Sequence, residues 1–188
     1  MFYPVKKKEM MKKFFYTIIV LVGLAVSANA QSVFRKGESM LNLGLGLNSL
    51  NNYTMVIPPL SASYELGLAD NIFSNGNGSL GLGAYIGYAS YKYKPYKVNS
   101  LKENHFVIGP RLALHYGFLG KLDTYLGLML GYRSVSLSGD FGDIDSTSSG
   151  LAWNLNIGAR YFFTPKVGAF MELGYGISNV NLGVTFRM

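Results

Sequence analysis

The chain has 188 residues, enough for one domain with a sizeable core but not for two of typical size. It contains no cysteine, which excludes disulfide scaffolds, thiolate metal centres, thiol nucleophiles and an N-terminal lipid-modified cysteine. Charged residues make up 14% against 49% hydrophobic, with 23 glycines, a balance too apolar for disorder and too sparsely charged for an ordinary water-facing surface.

The net charge of +7 does not signal a nucleic-acid partner, because it is concentrated at the N-terminus. Lys6, Lys7, Lys8, Lys12 and Lys13 against Glu9 place +4 of it in the first thirty residues. An apolar run from Phe14 to Val26 follows, then Ser27 and Ala28-Asn29-Ala30. This run falls short of the roughly 20 residues that a membrane-spanning helix needs, and small residues at Ala28 and Ala30 suit a signal peptidase. Residues 1–30 therefore read as a secretory signal cleaved after Ala30, with Met10 or Met11 as an alternative start, and 31–188 as the mature domain.

From Gln31 onward the apolar residues recur at every second position, the period of a strand. Leu41, Leu43, Leu45 and Leu47 share one face, with Asn42, Gly44 and Gly46 between them. The same alternation recurs from Leu60 to Leu68, Leu80 to Tyr88, Phe106 to Tyr116, Leu126 to Tyr132, Leu151 to Tyr161, Val167 to Tyr175 and Val180 to Met188. Eight such segments predict an all-β, eight-stranded antiparallel up-and-down transmembrane barrel.

A water-soluble barrel would hide its leucines inside and line its outer face with Lys, Glu and Thr. Here the alternate face is mostly Gly, Asn, Ser and Ala, which suits the narrow interior of an eight-stranded barrel. The leucine face must then look outward to lipid. Outward aromatics fall near strand ends: Tyr88, Phe106, Tyr132, Trp153 and Tyr175 toward one rim, Tyr116, Tyr161 and Phe186 toward the other. The eight steps from Trp153 to Tyr161 span on the order of 20 Å at a tilt of about 40°, close to the expected height of an apolar band. Short turns are expected at 117–123 and 163–166, and longer outer loops at 48–59, 92–103 and 136–149.

The inward charges Glu65, Arg111, Arg160, Glu172 and Arg187 predict an ion-paired network, since isolated charges in a narrow lumen are costly. Such a network either plugs the barrel or lines a narrow pore. His105 and His115 share strand parity but lie too far apart to chelate one metal. The spacing of Asp140, Asp143 and Asp145 is not that of a calcium-binding EF-hand loop and reads as a solvated acidic loop. The preceding loop carries Tyr91, Lys92, Tyr93, Lys94, Tyr96, Lys97 and Lys102, and could meet the acidic loop above the mouth or bind phosphates or a surface ligand.

The segment Phe170-Met171-Glu172-Leu173-Gly174-Tyr175-Gly176 and the last strand Asn181-Leu182-Gly183-Val184-Thr185-Phe186-Arg187-Met188 resemble the small outer-membrane β-barrels of Gram-negative bacteria, the porin-family kind that includes OmpX and the membrane domain of OmpA. The resemblance runs from Gly37 to the C-terminus. It implies a bacterial outer-membrane location, lipid as the surrounding partner, and recognition of the last strand by the barrel-assembly machinery. Members usually end in an aromatic residue, whereas this chain ends in Met188 with Phe186 two positions earlier. The His-Ser-Asn cluster of lipid-modifying members is absent after His105 and His115. The reading is a non-enzymatic monomer without cofactor, metal or nucleic-acid partner, in a structural or surface-display role. A narrow passive channel for small solutes is the first alternative and loop-mediated adhesion or ligand binding the second.

Overall fold

The computed structural model describes residues 33–47, 53–74, 76–93, 101–139 and 146–188, with the side chains at 53, 93, 101 and 139 excepted. The signal segment with its cleavage after Ala30, Asp140, Asp143 and Asp145, and Lys94, Tyr96 and Lys97 lie outside the described residues. Eight strands follow one another: β1 (Ser39–Leu47), β2 (Tyr53–Asp70), β3 (Gly78–Tyr93), β4 (Leu101–Leu119), β5 (Leu122–Gly139), β6 (Ser146–Phe162), β7 (Val167–Tyr175) and β8 (Val180–Arg187). Each pairs antiparallel with its sequence neighbours, and β1 closes on β8 from Met40↔Arg187 to Leu47↔Val180. Closure removes the sheet edges that would otherwise leave backbone groups unsatisfied in hydrocarbon.

Alternation sorts the side chains cleanly. Leu43, Leu45, Leu66, Leu82, Ile86, Leu112, Leu126, Leu128, Leu155, Met171 and Val184 are all exposed on the outside, while Asn42, Ser63, Asn154, Asn156 and Thr185 are buried in the lumen. The core of this molecule is thus the polar inside of the cylinder. Trp153 and Tyr175 stack at 4.5 Å near one rim. On the same side Tyr88 pairs in register with Phe106, and Tyr132 with Ile108. At the other rim, Phe73 and Phe118 pack against Tyr116, and Phe163 against Tyr161. Phe186 stands there opposite Val167 and Leu41.

The strands are longer than the sequence reading at the trans end, opposite the termini. Within the predicted loops 48–59, 92–103 and 136–149, the described residues 53–59, 92–93, 101–103, 136–139 and 146–149 belong to β2 to β6. Lys92 pairs with Lys102, and Ser136 with Thr147. Pro58 and Pro59, which read as loop residues, sit where the β2–β3 register shifts between Ile57 and Leu60, a bulge on a stretch without a β1 partner. β1 meets β2 only up to Leu45↔Leu60, and β7 meets β6 only up to Leu155↔Tyr175. Beyond these points β2 to β6 continue as a five-stranded palisade. At the terminal end the predicted turn 117–123 shrinks to Gly120-Lys121 between Leu119 and Leu122, which places Asp123 inside β5.

The lipid-facing assignment makes a quantitative prediction. Leu126 lies on the outward face of β5 between the two aromatic rims. Leu126→Arg should lower the unfolding free energy in lipid vesicles by about 2–4 kcal/mol, whereas Ser148→Arg on the palisade should change it by no more than about 1 kcal/mol. Urea unfolding monitored by gel mobility of unboiled samples measures both.

Candidate functional site

The charged site is built by register. Glu65 of β2 stands opposite Gly83 of β3, and Gly83 opposite Arg111 of β4; a Cβ on Gly83 would run into the Tyr64 carbonyl, so the glycine lets the β2 backbone approach closely between acid and guanidinium. A glycine also stands where Tyr125 of β5 faces Gly158 of β6 and Gly158 faces Glu172 of β7, and there it makes room for a side chain. A Cβ on Gly158 would stand 2.3 Å from the Tyr125 ring, and one on Gly127 would stand 2.8 Å from Arg111 Nη2. These two glycines therefore act as clearance for long side chains.

Arg111 Nη2 donates to Glu172 Oε1 at 2.5 Å and to Asn156 Oδ1 at 3.3 Å, while its Nε lies 3.3 Å from Glu65 Oε1. Arg160 donates through Nη2 to Glu65 Oε2 and through Nη1 to Asp123 Oδ2 at 3.0 Å. Tyr125 Oη donates to Glu172 Oε1 at 2.8 Å, and its ring lies 4.2 Å under the Arg160 guanidinium. Asn181 Nδ2 reaches Glu172 Oε2 at 3.4 Å and Ser61 Oγ at 2.8 Å. His115 Nδ1 is 3.0 Å from Asp123 Oδ2, and its Nε2 is 3.7 Å from Glu65 Oε2. Glu65, His115, Asp123 and Arg160 are 0% exposed. A single charge held there alone would cost several kcal/mol, and mutual pairing offsets that cost.

Apolar layers close the cluster on both sides. Toward the termini lie Val33, Phe34, Met40 and Phe162. Phe34 enters from the segment before β1 and packs its ring 4.5 Å from His115. Toward the trans end lie Tyr85, Val107, Met129 and Ala152, with Ile177 of the β7–β8 connection packed against them.

Of the five charges read as one network, the structure brings Glu65, Arg111, Arg160 and Glu172 together and leaves Arg187 apart. Arg187 sits too near the terminal rim. Its Nη2 donates to Val33 O at 2.7 Å and its guanidinium lies 4.5 Å from the Phe162 ring, so it clamps the N-terminal segment under the barrel. Asp123, His115 and Tyr125 join the cluster without having been singled out for it. Continuing the β5 alternation backward from Tyr125 would have found Asp123. His105, by contrast, lies near the trans mouth, where its Nε2 is 3.1 Å from Glu103 Oε1.

Residues 18–187 match the family described as "Outer membrane protein beta-barrel domain". Among solved structures, Ail, the attachment invasion locus protein of Yersinia pestis, in complex with the heparin analogue sucrose octasulfate, aligns with a TM-score of 0.52 at 11% identity, covering 81% of this chain and 99% of that one. The N-terminal β-barrel domain of Pseudomonas aeruginosa OprF gives a TM-score of 0.49 at 17% identity, with 81% and 98% covered. The outer membrane protein OprG of Pseudomonas aeruginosa gives 0.40 at 14% identity, with 84% and 99% covered. At 11% identity the likeness to Ail is one of fold. No curated protein sequence matches the chain.

The two kinds of arginine should separate on mutation. Glu65→Ala leaves two buried guanidinium groups short of a partner and should cost about 3–5 kcal/mol. Arg187→Ala removes one partly buried hydrogen bond and one ring contact and should cost about 1–2 kcal/mol. Denaturant unfolding of the refolded proteins in one detergent gives both values.

Proposed function

Since the chain belongs to the outer membrane protein β-barrel family, a family of the bacterial outer membrane, we propose that its lumen is a plug and that its role is structural and surface-displaying rather than conducting. One observation carries this reading: a charged cluster in which each ion has an opposite charge at ion-pair distance lies between two hydrophobic layers and fills the lumen below the trans mouth. Water needs room as well as polar partners along its whole path, and at the level of Met129 and Val107 the described lumen leaves it only a crevice of about 10 Å³ beside Tyr85, Asn154 and Asn181. The His115–Asp123 pair is 0% exposed and held within the ion cluster, which supports a non-enzymatic role.

The displayed surface is the palisade of β2 to β6, which rises past the rim marked by Trp153 and Tyr175. On it Lys92 and Lys102 stand directly opposite one another, an arrangement that favours a nearby anion. Export by the leader, folding of a monomer, and delivery of β8 to the barrel-assembly machinery complete the proposal.

Planar-bilayer recording of the refolded mature chain tests the plug. No steady single-channel steps are expected at any voltage the bilayer tolerates. Uniform, long-lived steps would establish the alternative of a narrow passive channel.

A further inference from the structure

Above the upper apolar layer the lumen opens into a cavity of about 530 Å³, within the usual range for small-ligand sites. Its floor is Val107, Met129, Ala152 and Ile177, the top of the plug. Its polar wall carries Tyr91, Glu103, His105 and Arg133. The Glu103 carboxylate is engaged by His105, whose ring meets Tyr91 edge-on at 5.5 Å. Unlike Arg111 and Arg160, Arg133 has no carboxylate at ion-pair distance among the described residues, and unlike Arg187, which is held by the Val33 carbonyl and the Phe162 ring, it is exposed.

Two features of the wall decide what could sit beside Arg133. In register it stands between Val107 and Gly150, and a Cβ on Gly150 would meet nothing within 4 Å. The guanidinium therefore borders open space on its β6 side. β6 also has no β7 neighbour beyond Leu155, so Leu151, Trp153 and Tyr175, which belong to the outer face, border the same cavity as the inward Val107 and Met129. Among the described residues the site opens to the trans side and, through this notch, at the height of the stacked Trp153 and Tyr175 rings, where aromatic side chains meet lipid headgroups.

We infer that this mouth cavity binds an anionic amphiphile, its phosphate, sulfate or carboxylate head held by Arg133 and its apolar chain lying over Val107, Met129 and Ile177. A guanidinium offers a planar pair of donors that matches such heads, and the apolar floor gives no place to a bare inorganic ion. The amphiphile arrives either as an outer-leaflet lipid through the notch or as a soluble molecule from the trans side. The inference is separate from conductance, since the ligand rests on the plug without crossing it.

Trp153, the chain's single tryptophan, borders the cavity and reports on it. The mature protein refolded in non-ionic maltoside micelles is titrated with n-octyl phosphate, n-octanol and inorganic phosphate while Trp153 emission is followed. Saturable binding of octyl phosphate is expected, with octanol and phosphate each at least about tenfold weaker. Arg133→Gln should weaken octyl phosphate by about tenfold, and Gly150→Phe, which fills the open space beside Arg133, should do so without touching the charge. Both variants should keep the heat-modifiable gel shift of a folded barrel. In nanodiscs, a higher apparent Kd for octyl phosphate when phosphatidylglycerol replaces phosphatidylcholine identifies the lipid source, and an unchanged Kd identifies the soluble one. Equal binding of octanol, equal binding of inorganic phosphate, or affinities unmoved in both variants would overturn the assignment.

Discussion

The structure depends on one constraint: a cylinder of eight strands has an inside just wide enough for its own side chains, and whatever charge stands there must find a partner there. Lipid outside forbids the leucine faces from turning inward, because the alternate faces are too polar to meet hydrocarbon. The interior therefore receives Glu65, Arg111, Asp123, Arg160 and Glu172 whether or not they pair well. Glycines in the register help them pair: Gly158 opens the row between Tyr125 and Glu172, Gly127 makes room for the Arg111 guanidinium, and Gly83 lets the β2 backbone approach closely between Glu65 and Arg111. Small and long lumen residues are thus two halves of one packing solution.

That solution divides the lumen into levels. The N-terminal segment closes the terminal end with Phe34, held in place by Arg187 through the Val33 carbonyl. The ion cluster occupies the middle. Val107, Met129, Ala152 and Ile177 separate it from the mouth, with a narrow polar crevice beside Tyr85 and Asn154, and above them Arg133 stands open to a cavity. The plug and the mouth consequently answer to different physics. In the first, charges are satisfied internally and contribute cohesion; in the second, a charge is left available to something that is not part of the chain.

Much of this was legible in the sequence because lipid imposes a strict period of two. Leucines at alternate positions from Leu41 to Val184 fix the outward face, and the same parity puts Glu65, Arg111, Arg160 and Glu172 inside. What escaped the pattern did so for physical reasons. Beyond the aromatic rim both faces of a strand are wet, so segments such as Ser134–Ser138 and Ser146–Ser149 lose the hydrophobic contrast and look like loop although they pair. Asp123 was assigned to a turn because Gly117 and Gly120 resemble breakers, whereas the chain turns only at Gly120-Lys121. Arg187 has the right parity but the wrong depth, and parity carries no information about depth. The plugging role of Val33-Phe34 rests on two apolar residues, too few to show any period.

The central claim is that the buried charges act as one mutually dependent set, and a double-mutant cycle on Glu65 and Arg160 tests it most directly. Unfolding free energies of Glu65→Ala, Arg160→Ala and the double variant, measured in the same detergent, give the coupling between the two side chains. The account predicts a coupling of at least about 2 kcal/mol, with the double variant far more stable than the two single losses added together. Additive losses, with coupling within about 0.5 kcal/mol of zero, would contradict it.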